Sequence, residues 1–384
     1  MHIVIAPDSF KGSVSAIDAA EAMKSGLSKV FPQATFKLLP IADGGEGTVD
    51  ALVCATGGRL MQSQVLDPLG RPIQASWGIL GDGHTAVMEM AAASGLPLLS
   101  REERNPLITS TYGTGELIRA ALDNGIQKII LGIGGSATND GGSGMLHALG
   151  ARFLNADKKD LPPGGAALCD LETIDISGLD PRLATVEIAV ACDVDNPLCG
   201  SCGASAIYGP QKGATPSAVA RLDKALARFA EVAEQMTGRQ VVNRSGAGAA
   251  GGLGAGLLLF TPAILRPGIE LVLETIDFET ALSNASLVFT GEGRTDAQTV
   301  FGKAPVGVAK AAARFNLPVV CLSGGLGEGY EQLYECGLDA ITTIAPGPIS
   351  LDRCMKEAPR LIAASAERAG RLLSVGAKLA PLKL

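Results

Sequence analysis

Short apolar runs of this chain stop repeatedly on polar loops that carry glycine. Ile3–Ala6 runs into Pro7-Asp-Ser-Phe-Lys-Gly12, and FKLLPI (residues 36–41) runs into ADGGEGT. SLVFT (from Ser286) runs into GEGRTD, and LPVVCLS (from Leu317) into Gly324-Gly325. Helical patterns lie between them. Ser15-Ala-Ile-Asp18 has the form of a capping box, in which a hydroxyl and a side chain three residues on satisfy backbone N–H groups at a helix start. Ile17, Ala20, Met23, Leu27 and Val30 then fall on one helical face. The spacing predicts a helix ending before Pro32 and a second from Thr48 to Gly57-Gly58. Strands alternating with helices imply parallel pairing, because parallel neighbours need a crossover connection. Parallel strands end on one common edge, which is where ligands of α/β sheets bind.

The middle of the chain reads differently. MQSQVLDPLGRPIQASWGIL (from Met61) and HTAVMEMAA (from His84) look antiparallel, with turns at Pro68-Leu-Gly70 and Gly81-Asp-Gly83. Two more strand-to-glycine-loop units follow, KIILGIGGSATNDGG from Lys128 and VEIAVACDVDNPL from Val186. The simplest organisation is two α/β domains with a cleft between them. One is a Rossmann-like parallel-sheet domain built from both termini, residues 1–66 and 284–384. The other is an inserted mixed α/β domain, residues 67–283.

A chain of 384 residues suits more than one domain. Its net charge of −7 and 4 % aromatic content offer neither a basic face nor stacking rings for nucleic acid. The first residues lack a basic segment, and their apolar stretch breaks at Pro7. No signal peptide is expected, and a cytoplasmic location is. Gly246–Leu265 is uncharged and long enough for a bilayer. It is also rich in glycine and holds Pro262, so a buried glycine loop leading into a core segment is expected. Cys199-Gly-Ser-Cys202 lacks the second pair of a structural zinc site, and three histidines supply little for metal or triad chemistry. The P-loop pattern is absent, since Gly302-Lys303 is followed by Ala304. Gly246–Gly251 and Gly132–Ala137 match a dinucleotide fingerprint only loosely. They keep open an NAD(P)-dependent oxidoreductase acting on a small hydroxy acid. A two-domain small-acid binding protein without catalysis is the other alternative.

Longer motifs point further. APDSFKGS, ADGGEGT, EMAAASGL, TYGTGELI, LGIGGSATNDGG, CDVDNPL with GPQKGAT, GAGAAGGLG, and TGEGRTDAQT with GKAPVGVA follow one another from residue 6 to about 309. In this order they resemble the successive signatures of the bacterial class I glycerate kinases. The resemblance implies phosphorylation of D-glycerate by ATP, usually to 2-phosphoglycerate, and a two-domain α/β fold with an interdomain cleft. Cys199 and Cys202 depart from the usual family pattern.

Roles follow from what phosphoryl transfer to a hydroxyl needs: anion cradles, Mg²⁺ ligands, a base and positive charge. Lys11, at the first strand end, and Arg294, whose planar fork suits carboxylate or phosphate, are candidate catalytic cations. Asp193 is the candidate base, with an Asx-turn before Asn196-Pro197 as its other use. Asp8, Ser9, Ser136, Asn139, Asp140 and Lys212 are candidates for binding substrate. Gly291, Gly293, Thr295, Lys303, Gly44 and Gly45 are candidates for binding ATP. Asp43, Glu46 and Asp296 are candidate Mg²⁺ ligands, though Glu46 and Asp296 equally suit helix capping. The expected partners are glycerate and ATP, with no nucleic acid or membrane and with a homo-oligomer left open.

Overall fold

A computed structural model describes residues 1–379, the Phe301 and Leu379 side chains excepted. Strands β1 (His2–Pro7) and β2 (Thr35–Leu38) open the chain. The middle holds β3 (Arg59–Leu66), β4 (Pro72–Ile79), β5 (Thr85–Glu89), β6 (Lys128–Gly132), β7 (Arg152–Leu154), β8 (Thr173–Asp175), β9 (Glu187–Ala191) and β10 (Ile264–Arg266). The last strands are β11 (Leu287–Glu292), β12 (Val319–Ser323) and β13 (Ala340–Thr343). The chain divides into two compact units. Unit 1 holds residues 1–43, 50–56 and those from Ile269 on; unit 2 holds 44–49 and 57–268.

In unit 1 the strand order is β13-β12-β11-β1-β2, and every pair is parallel. The first strand thus lies beside one from the far end of the sequence, as the apolar runs implied. β11 and β12 are buried along their whole length. This is why they read as continuous apolar runs instead of alternating ones. Ile3, Ile5, Met23, Leu27, Phe289, Leu322 and Ile362 share one core. The helix Ala16–Ser28 starts as expected, with the Ser15 hydroxyl accepting from the Asp18 N–H at 3.1 Å. Its buried face differs from the expected one. Ala16, Ala19, Ala20, Met23, Gly26 and Leu27 are inside, Ile17 is only half-buried, and the helix ends before Val30. The small residues set that rotation, because the closing helix Ala358–Leu379 comes very near. A Cβ on Gly26 would overlap the Ala363 carbonyl.

Unit 2 has a six-stranded sheet of order β10-β9-β6-β5-β4-β3. β3, β4 and β5 run antiparallel, and β5, β6, β9 and β10 parallel, so β5 is antiparallel on one side only. β7 and β8 form a separate hairpin. Trp77, Met88, Leu117, Ile129, Phe229 and Leu257 belong to its core. Residues 57–66, expected with the terminal domain, form β3 and pair with β4 in unit 2; residues 269–283, expected in the insertion, fall in unit 1. The uncharged stretch from Gly246 forms the buried helix Ala249–Phe260. Among the described residues no helix is long and apolar enough to cross a membrane.

The Gly26 contact gives a direct check on the core of unit 1. Gly26→Val should destabilise the protein by about 1–3 kcal/mol, since it forces extra atoms into a backbone contact. Urea unfolding would measure the loss, and a variant as stable as the parent would contradict this packing.

Candidate active site

Asp8 follows β1 directly, and its N–H continues the ladder to the Gly291 carbonyl at 2.8 Å. The loop then tightens, with Phe10 and Val14 hydrogen-bonded to each other. Asp8 is 7 % exposed. Burial, above all, pushes its carboxyl up to about 7, and the charges of Asp43 and Glu292 add to the rise. The Ser9 N–H and the Lys11 ammonium act in the other direction. Glu292, the last residue of β11, is also buried, and burial raises its carboxyl too. The Thr299 hydroxyl donates to it at 2.8 Å, and Lys303 counters part of the rise. Three acids therefore crowd one edge of the parallel sheet. Glu292 had no role in the sequence reading, although its place in GEGRTD at a strand end was the available signal.

The other expected residues of this edge fall into two groups. Lys11 is exposed, and Arg294 is 73 % exposed with its guanidinium 3.1 Å from Asp296. Asp296 also accepts from the Gln298 N–H, so it caps the turn Ala297–Phe301. Thr295 is buried, its N–H bound to the Gly325 carbonyl. Lys303 is the N-cap residue of the helix Ala304–Ala313. A Cβ on Gly291 would overlap the Leu322 carbonyl of the adjacent strand. The glycine's size serves sheet packing. Gly293 does sit in the loop region, where a Cβ would come 3.2–3.3 Å from Lys11 N and Phe10 Cα.

Unit 2 has its own strand-end groups. Gly44 has a left-handed φ of 90°, and a Cβ on it would reach 2.5 Å from that of Ala191 at the end of β9. Glu89, at the end of β5, accepts the Val49 N–H at 3.0 Å and so caps the helix Thr48–Thr56. Glu46, the expected alternative for that cap, is exposed. Asp193, exposed just beyond β9, accepts the Gly268 N–H at 2.8 Å, where the helix Gly268–Thr275 starts.

The expected substrate-binding residues of unit 2 are bonded into the loop after β6. Lys212 is fully buried and donates to the Ser136 hydroxyl and the Thr138 carbonyl, both at 2.7 Å. Burial pushes its ammonium down to about 7, and Asp140 counters it in part. Asp140 is buried, and it accepts from the Thr111 N–H and hydroxyl and from the N–H groups of Gly142 and Gly144. Asn139 donates to the Ser205 hydroxyl at 3.0 Å. These four residues hold the loop after β6 in place, and among the described residues the buried Asn139 Oδ1 has no hydrogen-bond partner. Among the described residues no three His, Cys, Asp or Glu side chains stand in metal-ligand geometry. Asp43, Glu46 and Asp296 are therefore not gathered into one ligand set.

The glycerate kinase family profile matches residues 3–374. The chain belongs to the glycerate kinase family. A Bacillus subtilis (strain 168) glycerate kinase is 52 % identical, over 99 % of this chain and 98 % of that protein. An Escherichia coli (strain K12) glycerate 2-kinase is 47 % identical, over 98 % and 99 %. The crystal structure of a protein assigned as glycerate kinase 2 from Salmonella typhimurium LT2 has a TM-score of 0.91 and 48 % identity, covering 99 % of this chain and all of that one. Family membership makes the chain a phosphotransferase, and neither the dinucleotide-enzyme nor the binding-protein alternative is supported. The family signatures APDSFKGS, ADGGEGT and TGEGRTD supply Asp8, Asp43 and Glu292.

Buried Asp8 also sets a pH dependence. Its carboxyl holds a proton more tightly in the folded chain than at its ordinary value of 3.8. That contribution to stability is fully present below about pH 4 and is lost as pH rises through about 7. In metal-free protein, Asp8→Asn should gain on the parent between pH 4 and pH 8, by an amount on the order of a few kcal/mol. Urea unfolding at both pH values measures this, and an offset independent of pH would contradict it.

Proposed function

We propose that this protein transfers the γ-phosphoryl group of ATP to the 2-hydroxyl of D-glycerate, giving 2-phosphoglycerate in the cytoplasm. The observation that carries this reading is the family match over nearly the whole chain, with a relative named glycerate 2-kinase among the similar proteins. The strand-end groups supply parts suited to that chemistry.

Lys11 and Arg294 are the exposed cations beside the acid edge of unit 1, and they bind the negative charge of phosphate or glycerate carboxylate. The N-terminus of the helix Ala304–Ala313, with Lys303 as its cap residue, favours anions in the same loop region. Asp8, Asp43 and Glu292 do not form a three-ligand set, but a divalent cation carried in with ATP and held by one or two of them would relieve their mutual repulsion. Mg²⁺, when bound with ATP, offsets the phosphate charge. Asp193 accepts the proton of the glycerate hydroxyl. Its bond from the Gly268 N–H holds the carboxylate in one orientation at the end of β9.

Incubation with Mg-ATP and D-glycerate, followed by phosphorus NMR of the product, tests the reaction and the position together. A phosphate on the 3-hydroxyl, or no transfer, would overturn the reading. Lys11→Met should leave the fold intact and lower kcat/KM at least about a hundredfold, a loss of ~2.7 kcal/mol. Near-normal kinetics in the folded variant would remove Lys11 from the site. Asp193→Asn should lower kcat by about 10² or more while ATP affinity stays within a few-fold, because asparagine keeps an oxygen for the Gly268 N–H. A fall in ATP affinity with unchanged kcat would make Asp193 a structural cap alone.

A further inference from the structure

The sheet of unit 2 ends on β3, an eight-residue strand paired on one side only, with β4. The hairpin closes with the Asp67 N–H on the Arg71 carbonyl at 2.8 Å. Hydrogen-bonded pairs alternate along an antiparallel ladder. Counting back through the β3–β4 register, Arg59, Met61, Ser63 and Val65 turn their backbone groups toward β4. Leu60, Gln62, Gln64 and Leu66 turn theirs to the open edge. The Leu66 N–H is taken by Glu116 Oε2 at 2.7 Å. The N–H groups of Leu60, Gln62 and Gln64 have no partner among the described residues.

Open edges are usually blunted by lysine, proline, a bulge or an inward charge. β3 reads RLMQSQVL, with a single charge at its first residue and no proline. Its register with β4 is unbroken, so it has no bulge. Leu60 is 54 % exposed, and Gln62 and Gln64 are exposed on the same face. The one device present is the Glu116 bond, which closes the edge at Leu66 and leaves the rest open.

We propose that this edge is an interface, in which β3 pairs antiparallel with β3 of a second copy of this chain about a two-fold axis at Gln62. The backbone selects this register. Both partners must offer outward-facing residues. Centring on Gln62 sets Gln62 against the partner's Gln62 and Leu60 against the partner's Gln64, and each is a hydrogen-bonded pair with two bonds. Centring on Ser63 would require the Leu66 N–H that Glu116 already holds. Centring on Met61 would leave only Leu60 and Gln62 to face each other. In the Gln62 register no like charges oppose one another, and the two glutamine amides at the axis can bond to each other. The contact is isologous, so it closes at two copies and does not propagate.

Sedimentation of the full chain over a concentration series tests this. A species of about twice the 39.1 kDa protomer mass is expected. Gln62→Pro deletes the N–H at the axis, and proline is accepted on an edge strand whose N–H faces outward. It should yield a monomer with kcat and unfolding midpoint close to those of the parent. Leu60→Lys with Gln64→Lys sets lysine against lysine across the axis and should weaken the dimer at least about tenfold. This second variant decides the matter should Gln62→Pro not fold. A parent chain that stays monomeric throughout, or a dimer that the folded lysine variant leaves intact, overturns the proposal.

Discussion

The ladder between β1 and β11 is the constraint on which the rest of unit 1 depends. Ile3 lies opposite Leu287, and the register runs to Pro7 opposite Gly291. The Thr290 hydroxyl reinforces it by donating to the Ala6 carbonyl at 2.8 Å. Because the pair is parallel, both strands end at one edge, and Asp8 emerges beside Glu292 as a direct result. A slip of one residue would turn each side chain to the opposite face of the sheet and part these two acids. The acid edge is therefore a product of strand register, and no local segment could make it alone.

Two buried ionisable groups show how differently the fold uses burial. Asp8 and Lys212 are both held toward their neutral forms, each mainly by desolvation. Lys212 has close protein acceptors in Ser136 and Thr138, so its burial fastens the loop after β6 to the turn Pro210–Lys212. Removing such a partner strands buried polar atoms and costs about 1–3 kcal/mol. Asp8 instead faces two more acids, and its nearest bond is the Ser9 N–H at 2.6 Å. The folded chain gains no stability from that crowding. Arrangements that oppose stability in this way are common where a protein must bind charge.

Much of this was legible in the sequence, where apolar period and glycine loops reported on backbone geometry. The N-cap at Ser15, the parallel order of the terminal strands and their shared loop edge all rest on local patterns. What escaped depends on neighbours distant in sequence. No local pattern in GPQKGAT signals that the packing around it buries Lys212. Glu89 lies 40 residues from the helix start it caps, so the nearer Glu46 was the natural guess. The helix from Ala16 turned its alanines inward because the closing helix, from the other end of the chain, lies against Gly26. The close approach of Gly291 to Leu322 on the next strand is likewise set by packing that no local pattern reports.

Glu89 and Asp193 carry the comparison one step further. They stand at the ends of β5 and β9, on either side of β6 in the sheet of unit 2. Each gives a carboxylate oxygen to an N–H at a helix start, Val49 for one and Gly268 for the other. Those helices start in unit 2 and continue with residues of unit 1, from Asp50 and from Ile269. The same strand ends thus fix the first turns of two helices. For Asp193 the cap is compatible with the proposed role as base. A carboxylate has several lone-pair sites, and one N–H does not exhaust them. The bond from the Gly268 N–H sets the orientation of the Asp193 carboxylate when the chain folds. A carboxylate at such a strand end can therefore cap a helix and keep acceptor capacity for a further donor.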